Sequence, residues 1–225
     1  MGNVARSSRR SLTRADIVDA AIAVIDRDGP RPSMDDVAHE AGIAKPRLYR
    51  LVADKADLYN GVAARMTRDF YATFGADLTF MTSPPREAVR RVVTSSAATI
   101  REHPNVFRFL GQAQFTIDAA HAGMQLDIGR DFATTLALQA RPLLLALRVD
   151  DSGLDYLVRA IVGLVVTTAD LWLGADGTPD DERTAEFIEQ VSEFVWQLID
   201  GFLRRKGVVA DPDTPLVTTL AAVAR

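Results

Sequence analysis

Residues 33–52 read SMDDVAHEAGIAKPRLYRLV. Ser33 precedes Met34, Asp35 and Asp36, a good N-cap followed by acids that suit the positive end of a helix. Val37 and Ala41 are four apart and share one face of that helix. Ala38 is small, as a close helix crossing requires. Gly42 falls just past the helix end, where a left-handed backbone is commonly needed, and Ile43 can plug the corner. Pro46 opens a second helix, where its missing N–H costs nothing. Leu48 and Val52 then turn inward, leaving Lys45, Arg47, Tyr49 and Arg50 outward. Two short helices with cations and a phenol on the second are suited to the major groove of DNA. Lys and Arg meet phosphates, Arg can also grip a guanine edge with two bonds, and a tyrosine hydroxyl can reach a phosphate. A solvated basic face on an ordinary helix is the plainer alternative.

The flanks favour the first reading. Upstream, Thr13 caps a helix with Ile17, Ala20, Ala21, Val24 and Ile25 at helical spacing, ending at Asp28-Gly29-Pro30. Downstream, Asp54 caps a helix that begins Lys55-Ala56-Asp57-Leu58-Tyr59. A lysine in a first turn opposes the helix dipole. Lys55 makes sense there if the helix end meets a phosphate through backbone N–H groups and the ammonium together; a tolerated surface lysine is the alternative.

Thr13-Arg14, Ile17, Ala20-Ala21, Gly29, Ser33-Met34, Val37-Ala38, Ala41-Gly42-Ile43, Leu48-Tyr49, Lys55 and Leu58 together resemble the N-terminal domain of the tetracycline-repressor (TetR) family of transcriptional regulators. The resemblance covers residues 12 to 60 or so. It implies an all-α chain: a three-helix DNA-binding head, a helical body that binds a ligand, and a homodimer. Carried onto this sequence, the DNA-binding set is Ser33, Ala44, Lys45, Pro46, Arg47, Tyr49, Arg50 and Lys55. The chain departs from many members, which have Ser at Ala44, Gly or Ala at Pro46, Thr or Ser at Arg47 and Phe at Val52. Losing two hydroxyls removes two possible phosphate donors and leaves the operator sequence open. Val52 in place of Phe leaves a smaller plug under the second helix, and neighbours must fill the gap.

Charge is distributed unevenly. The chain carries a formal net charge of −4, yet residues 1–55 hold ten Lys/Arg against eight Asp/Glu. Arg6, Arg9 and Arg10 form a basic arm within residues 1–11 that could lie on phosphates or enter a minor groove, or stay a solvated tail. With no Cys, a disulfide framework, a zinc finger and a thiol nucleophile are excluded. Residues 1–10 are polar and basic, unlike a signal region. The longest apolar run, Ala160 to Ala169, is too short to span a bilayer. A cytoplasmic protein with no membrane partner is expected.

Residues 59–206 read as helix after helix, with breaks at Pro84-Pro85, His103-Pro104 and the loop near Asp118 to Gly123. Pro142 should kink or split a helix running from Met124 to Leu147. Residues 207–225 read as a loose tail up to a short turn at Val217 to Val223. In the last two helices Leu157, Ile161 and Val165, then Phe187, Val191, Phe194, Leu198 and Phe202, form an apolar surface wider than one neighbour needs. Pairing two helices from each of two subunits would bury it about a two-fold axis. A ligand cavity would draw on Phe70, Phe74, Phe107, Leu110, Phe115, Met124 and Trp172, with polar groups from Gln112, Gln114, His121, Thr168 and Asp170. No cationic cluster in the body invites a highly anionic ligand, so a largely apolar effector is expected.

Catalysis has no foothold. His39, His103 and His121 are isolated, and there is no glycine-rich phosphate loop and no Gly-x-Ser-x-Gly. No enzyme, cofactor or metal is expected. The leading expectation is a repressor that binds a palindromic operator as a homodimer and is released by a small molecule. A regulator without an effector, an activator, and a helical protein-interaction module remain the alternatives.

Overall fold

The computed structural model describes residues 12–74, 82–115, 122–146, 148–174, 179–215 and 218. Those residues form helices and connecting turns, with no strand among them. In chain order the helices are α1 (Arg14–Asp28), α2 (Met34–Glu40), α3 (Lys45–Leu48), α4 (Lys55–Phe74), α5 (Pro85–Glu102), α6 (Pro104–Phe115), α7 (Ala122–Ala146), α8 (Leu154–Leu173) and α9 (Asp181–Arg205). The all-α reading holds.

Local chemistry sets the helix ends. Thr13 and Asp16 form a reciprocal capping box on α1, and Ser33 and Asp36 form one on α2. The Asp54 carboxylate takes the Asp57 N–H at 2.8 Å, and Asp180 takes that of Arg183 at 2.8 Å. Gly29 stops α1 at φ +102°. Pro142 does not split α7, which runs on through it. Pro142 and Leu138, the residue whose carbonyl the proline leaves without its helical partner, are both exposed, so solvent can satisfy that oxygen.

One apolar core joins α1 to α4 with part of α6. Ile17, Ala21, Val37, Leu48, Val52, Leu58 and Val62 bury their side chains together with Val106 and Phe109. α1 and α4 pack closely at Gly61, where a Cβ atom would lie 2.7 Å from Val18 Cγ2. Three polar contacts then tie the head to α6. His103 Nδ1 lies 2.6 Å from an Asp26 carboxylate oxygen, Asn105 donates to the Asp26 carbonyl at 3.0 Å, and the Tyr59 hydroxyl donates to the Leu110 carbonyl at 2.8 Å. Tyr59 also packs its ring 5.3 Å from that of Phe109, and burial pushes its phenol up to about 12. Tyr59→Phe keeps the packing and leaves the Leu110 carbonyl without this donor. We expect it to cost about 1 kcal/mol of unfolding free energy in a urea titration.

Two further cores fill the body. Trp172 stacks on Phe187 at 4.5 Å among residues of α5, α8 and α9. Trp196, Phe202 and Leu203 pack against α7 and the start of α8. Two expectations need correction here. By length and composition α8 is apolar enough to cross a membrane, because the run around Ala160–Ala169 extends in both directions with few charges. Residues 207–215 are not loose: Ala210 is buried beside α7 and α9, and the Pro212 carbonyl accepts the Arg86 N–H of α5 at 3.3 Å. The expected arm at 1–11 and the expected short turn at 217–223, except Thr218, lie outside the described residues.

Candidate nucleic-acid interface

The recognition segment is held from beneath. Gly42 adopts φ +65°, and the turn closes with the Ile43 N–H on the Ala38 carbonyl at 3.0 Å and the Gly42 N–H on the His39 carbonyl at 3.0 Å. This left-handed ending releases the chain into α3 at a fixed angle. Hydrogen bonds continue past α3 to Leu51 and Val52, so the helical path outlasts its four regular residues. Leu48 and Val52 are fully buried. Leu51, Ile43 and Ala41 are partly buried and pack against that core.

Opposite that anchor, Ala44, Lys45, Pro46, Arg47, Tyr49 and Arg50 are exposed, as is Lys55 at the start of α4. Among the described residues, Arg47, Tyr49, Arg50 and Lys55 make no side-chain hydrogen bond or ion pair. Arg47 and Arg50 flank a shallow open groove with Leu12 and Leu51. Ala44 caps α3 with no side-chain bond. Lys45 differs from the other cations: its ammonium sits 2.8 Å and 2.9 Å from the two carboxylate oxygens of Asp35, and that carboxylate raises the lysine above its ordinary range.

Two members of the expected set fare differently. Ser33 has no donor left for a phosphate, because its N–H and its hydroxyl both donate to the Asp36 carboxylate, at 3.0 and 2.6 Å. Those bonds hold Asp36 below the usual carboxylate range, and Ser33 serves as a cap. At α4, Asp54 and Asp57 already answer the positive helix end, and Asp57 also pairs with Arg14. The N–H groups of Ala53 and Asp57 are thereby taken, and Lys55 stands exposed in the first turn.

The body residues scatter. Phe107 is half-buried against the α5–α8–α9 core. The Leu110 carbonyl is taken by Tyr59. The Thr168 hydroxyl donates to the Leu164 carbonyl at 2.6 Å, and Trp172 lies in the stack with Phe187. Thr168 is half-buried, and the Trp172 indole Nε1 is buried without a hydrogen-bond partner. The side chains of Phe70, Phe74, Gln112, Gln114, Phe115, His121 and Met124 lie outside the described residues.

The expected dimer set also divides. Phe187, Val191 and Phe202 are buried within the chain's own core, so they have little surface for a partner. Leu157, Ile161, Val165 and Leu198 are half-buried, and Phe194 is 43% exposed. The surface that does face outward on α8 runs along Tyr156, Ala160, Gly163, Thr167 and Leu171, with Tyr156 83% and Leu171 77% exposed. Sequence reasoning misses this stripe because its centre is small residues, which carry little apolar weight.

No family model matches the chain. Among curated proteins it is 27% identical over 199 residues to the helix-turn-helix-type transcriptional regulator Rv0472c of Mycobacterium tuberculosis, covering 86% of this chain and 80% of that one. It is 26% identical over 185 residues to the helix-turn-helix-type transcriptional activator FasR of Mycolicibacterium smegmatis, covering 80% and 79%. A TetR-family transcriptional regulator from Streptomyces coelicolor superposes with a TM-score of 0.62 at 21% identity, covering 94% of this chain and 87% of that one. The chain has the all-α fold of the TetR-family transcriptional regulators, and its similarity to curated proteins is to helix-turn-helix-type transcriptional regulators. Its outward row on α3 is then the surface to weigh against a duplex.

Proposed function

We propose that this chain is a TetR-type regulator that acts in the cytoplasm as a homodimeric repressor. Two copies of the Lys45–Arg50 segment enter successive major-groove turns of a palindromic operator, and a small, largely apolar effector releases them. The observation that carries the reading is the row of unpaired side chains, Arg47, Tyr49 and Arg50, standing on a segment anchored by Leu48 and Val52. Ala44 and Pro46 shape the approach of the backbone, and Lys45 and Lys55 flank it.

Dimerisation through α8 and α9 is supported by the exposed stripe from Tyr156 to Leu171 with Phe194 beside it. Asp155, Arg159 and Asp170 stand exposed along the same helix, which favours a protein partner with solvent at its rim over lipid. Release needs the effector to favour a conformation whose heads are mis-spaced for DNA. The route supported here runs through α6: the contacts of His103 and Asn105 with Asp26, and of Tyr59 with Leu110, make a shift of α6 a shift of α1 and α4. The effector would lie between body helices, with Phe107 at its wall and Phe70, Phe74, Gln114, Phe115 and Met124 as further lining.

The relative FasR is named an activator, so the opposite regulatory sign is the second reading. Nuclease protection of the DNA flanking the coding region tests the main one. Protection of an inverted repeat by dimeric protein, with transcription from that DNA falling when the protein is added, is the expected result. Rising transcription selects the activator. A monomer that protects no site overturns both.

A further inference from the structure

Lys45 stands on the recognition segment, yet its ammonium straddles both oxygens of Asp35, at 2.8 and 2.9 Å. Asp35 belongs to the first turn of α2 and is not needed for the cap, which Ser33 and Asp36 build without it. Both partners of the pair are at least half exposed. Exposed pairs of this kind contribute little to stability, so the pairing with Lys45 adds little to the fold beyond the favourable place of an acid in the first turn of α2. Its effect lies in charge. With Lys45 neutralised, the exposed cations of α3 and the start of α4 that carry no ion pair among the described residues are Arg47, Arg50 and Lys55.

Resting on the DNA-binding reading above, the geometry points to Asp35 as a specificity-determining residue that sequesters Lys45 from random-sequence DNA and releases it only on the operator. Sequence-independent binding grows with the number of cations that displace condensed counterions from phosphates. A lysine held by a carboxylate must leave that partner before it neutralises a phosphate, so on random DNA it adds little. On the operator, the base-edge contacts of Arg47 and its neighbours fix the register. Lys45 then meets one defined phosphate or base edge, and that contact offsets the broken pair. The ratio of operator to random-sequence affinity therefore rises although total affinity falls.

The test uses the full-length wild type, Asp35→Asn, Lys45→Gln and the double variant. Each is titrated by fluorescence anisotropy against a random-sequence duplex and against a duplex selected by the wild type from a random pool, over a salt series. Asp35→Asn should bind the random duplex about three- to tenfold more tightly, with its log K against log salt slope steeper by about one for each head engaged. Its gain on the selected duplex should be smaller. Lys45→Gln alone should alter random-duplex affinity by less than about twofold while weakening the selected duplex more, and Asp35→Asn should have no effect in the Lys45→Gln background. Melting curves establish that each variant folds, and Lys45→Gln carries the test by itself if Asp35→Asn does not. Unchanged random-duplex affinity and slope in Asp35→Asn overturn the proposal, as does a gain that survives in the double variant. A wild type that binds no duplex overturns the DNA-binding reading and this proposal with it. A wild type that binds while Asp35→Asn is silent overturns only the proposal.

Discussion

Gly163→Glu should yield a folded, helical protein that elutes as a monomer and no longer retains a palindromic duplex. Gly163 lies mid-way along the outward stripe of α8, and a Cβ atom there meets nothing within 4 Å in its own chain. A side chain at that position therefore clashes with nothing inside the monomer, and replacing a helical glycine improves local helix propensity. Across a two-fold interface the same change counts twice, because each subunit presents the same patch. Two carboxylates would be drawn into the seam, each with only Arg159 of its own helix four residues away to offset it, and their desolvation costs more than a surface charge does. We expect dimer affinity to fall at least about a hundredfold, and operator retention to fall with it, since one head alone reads only a half-site. Light scattering coupled to gel filtration gives the mass, and circular dichroism confirms that the helices persist. A Gly163→Glu protein that remains a dimer places the interface elsewhere.

Arg47→Ala combined with Arg50→Ala should remove operator binding while leaving the melting temperature nearly unchanged. Neither arginine has an ion pair or hydrogen bond among the described residues, and both sit opposite the buried Leu48 and Val52, so their loss leaves the head's core intact. An arginine on a base edge discriminates by about ten- to hundredfold, and two heads make the loss in duplicate. A fall of at least about a thousandfold on the operator is expected. The salt slope should flatten by about one for each phosphate deprived of its arginine. Retained affinity with an unchanged slope would mean that α3 does not face the duplex.

How far the sequence reveals all this depends on how local each cause is. Thr13, Ser33 and Asp54 are caps at the positions their neighbours imply, because a cap is decided within four residues. Gly42 is left-handed for the same short-range reason. Leu48 and Val52 are buried because four-residue spacing puts them on one side of a helical path. The Asp35–Lys45 pair spans a turn whose geometry no periodicity encodes, so it is invisible in the sequence. Ser33 reads as a DNA contact because spacing shows that a hydroxyl exists, and cannot show that its hydrogen is already given to Asp36. In α9 the apolar arc is wide enough for two neighbours. Sequence alone does not say that Phe187, Val191 and Phe202 face inward while Phe194 faces outward. Ala210, alone among turn-forming residues, gives no sign that residues 207–215 pack against the body.

Gly61 works as a calliper. The hydrogen atom it presents to Val18 fixes how deeply α1 beds against α4, and α4 is the strut that carries the recognition rod outward from the body. A methyl group wedged there would prise the two helices apart and splay the rod, and the second subunit would repeat the error on the other side of the axis. In the proposed dimer, the gap between half-sites would thus be set partly by the thickness of one missing carbon, well away from any nucleotide.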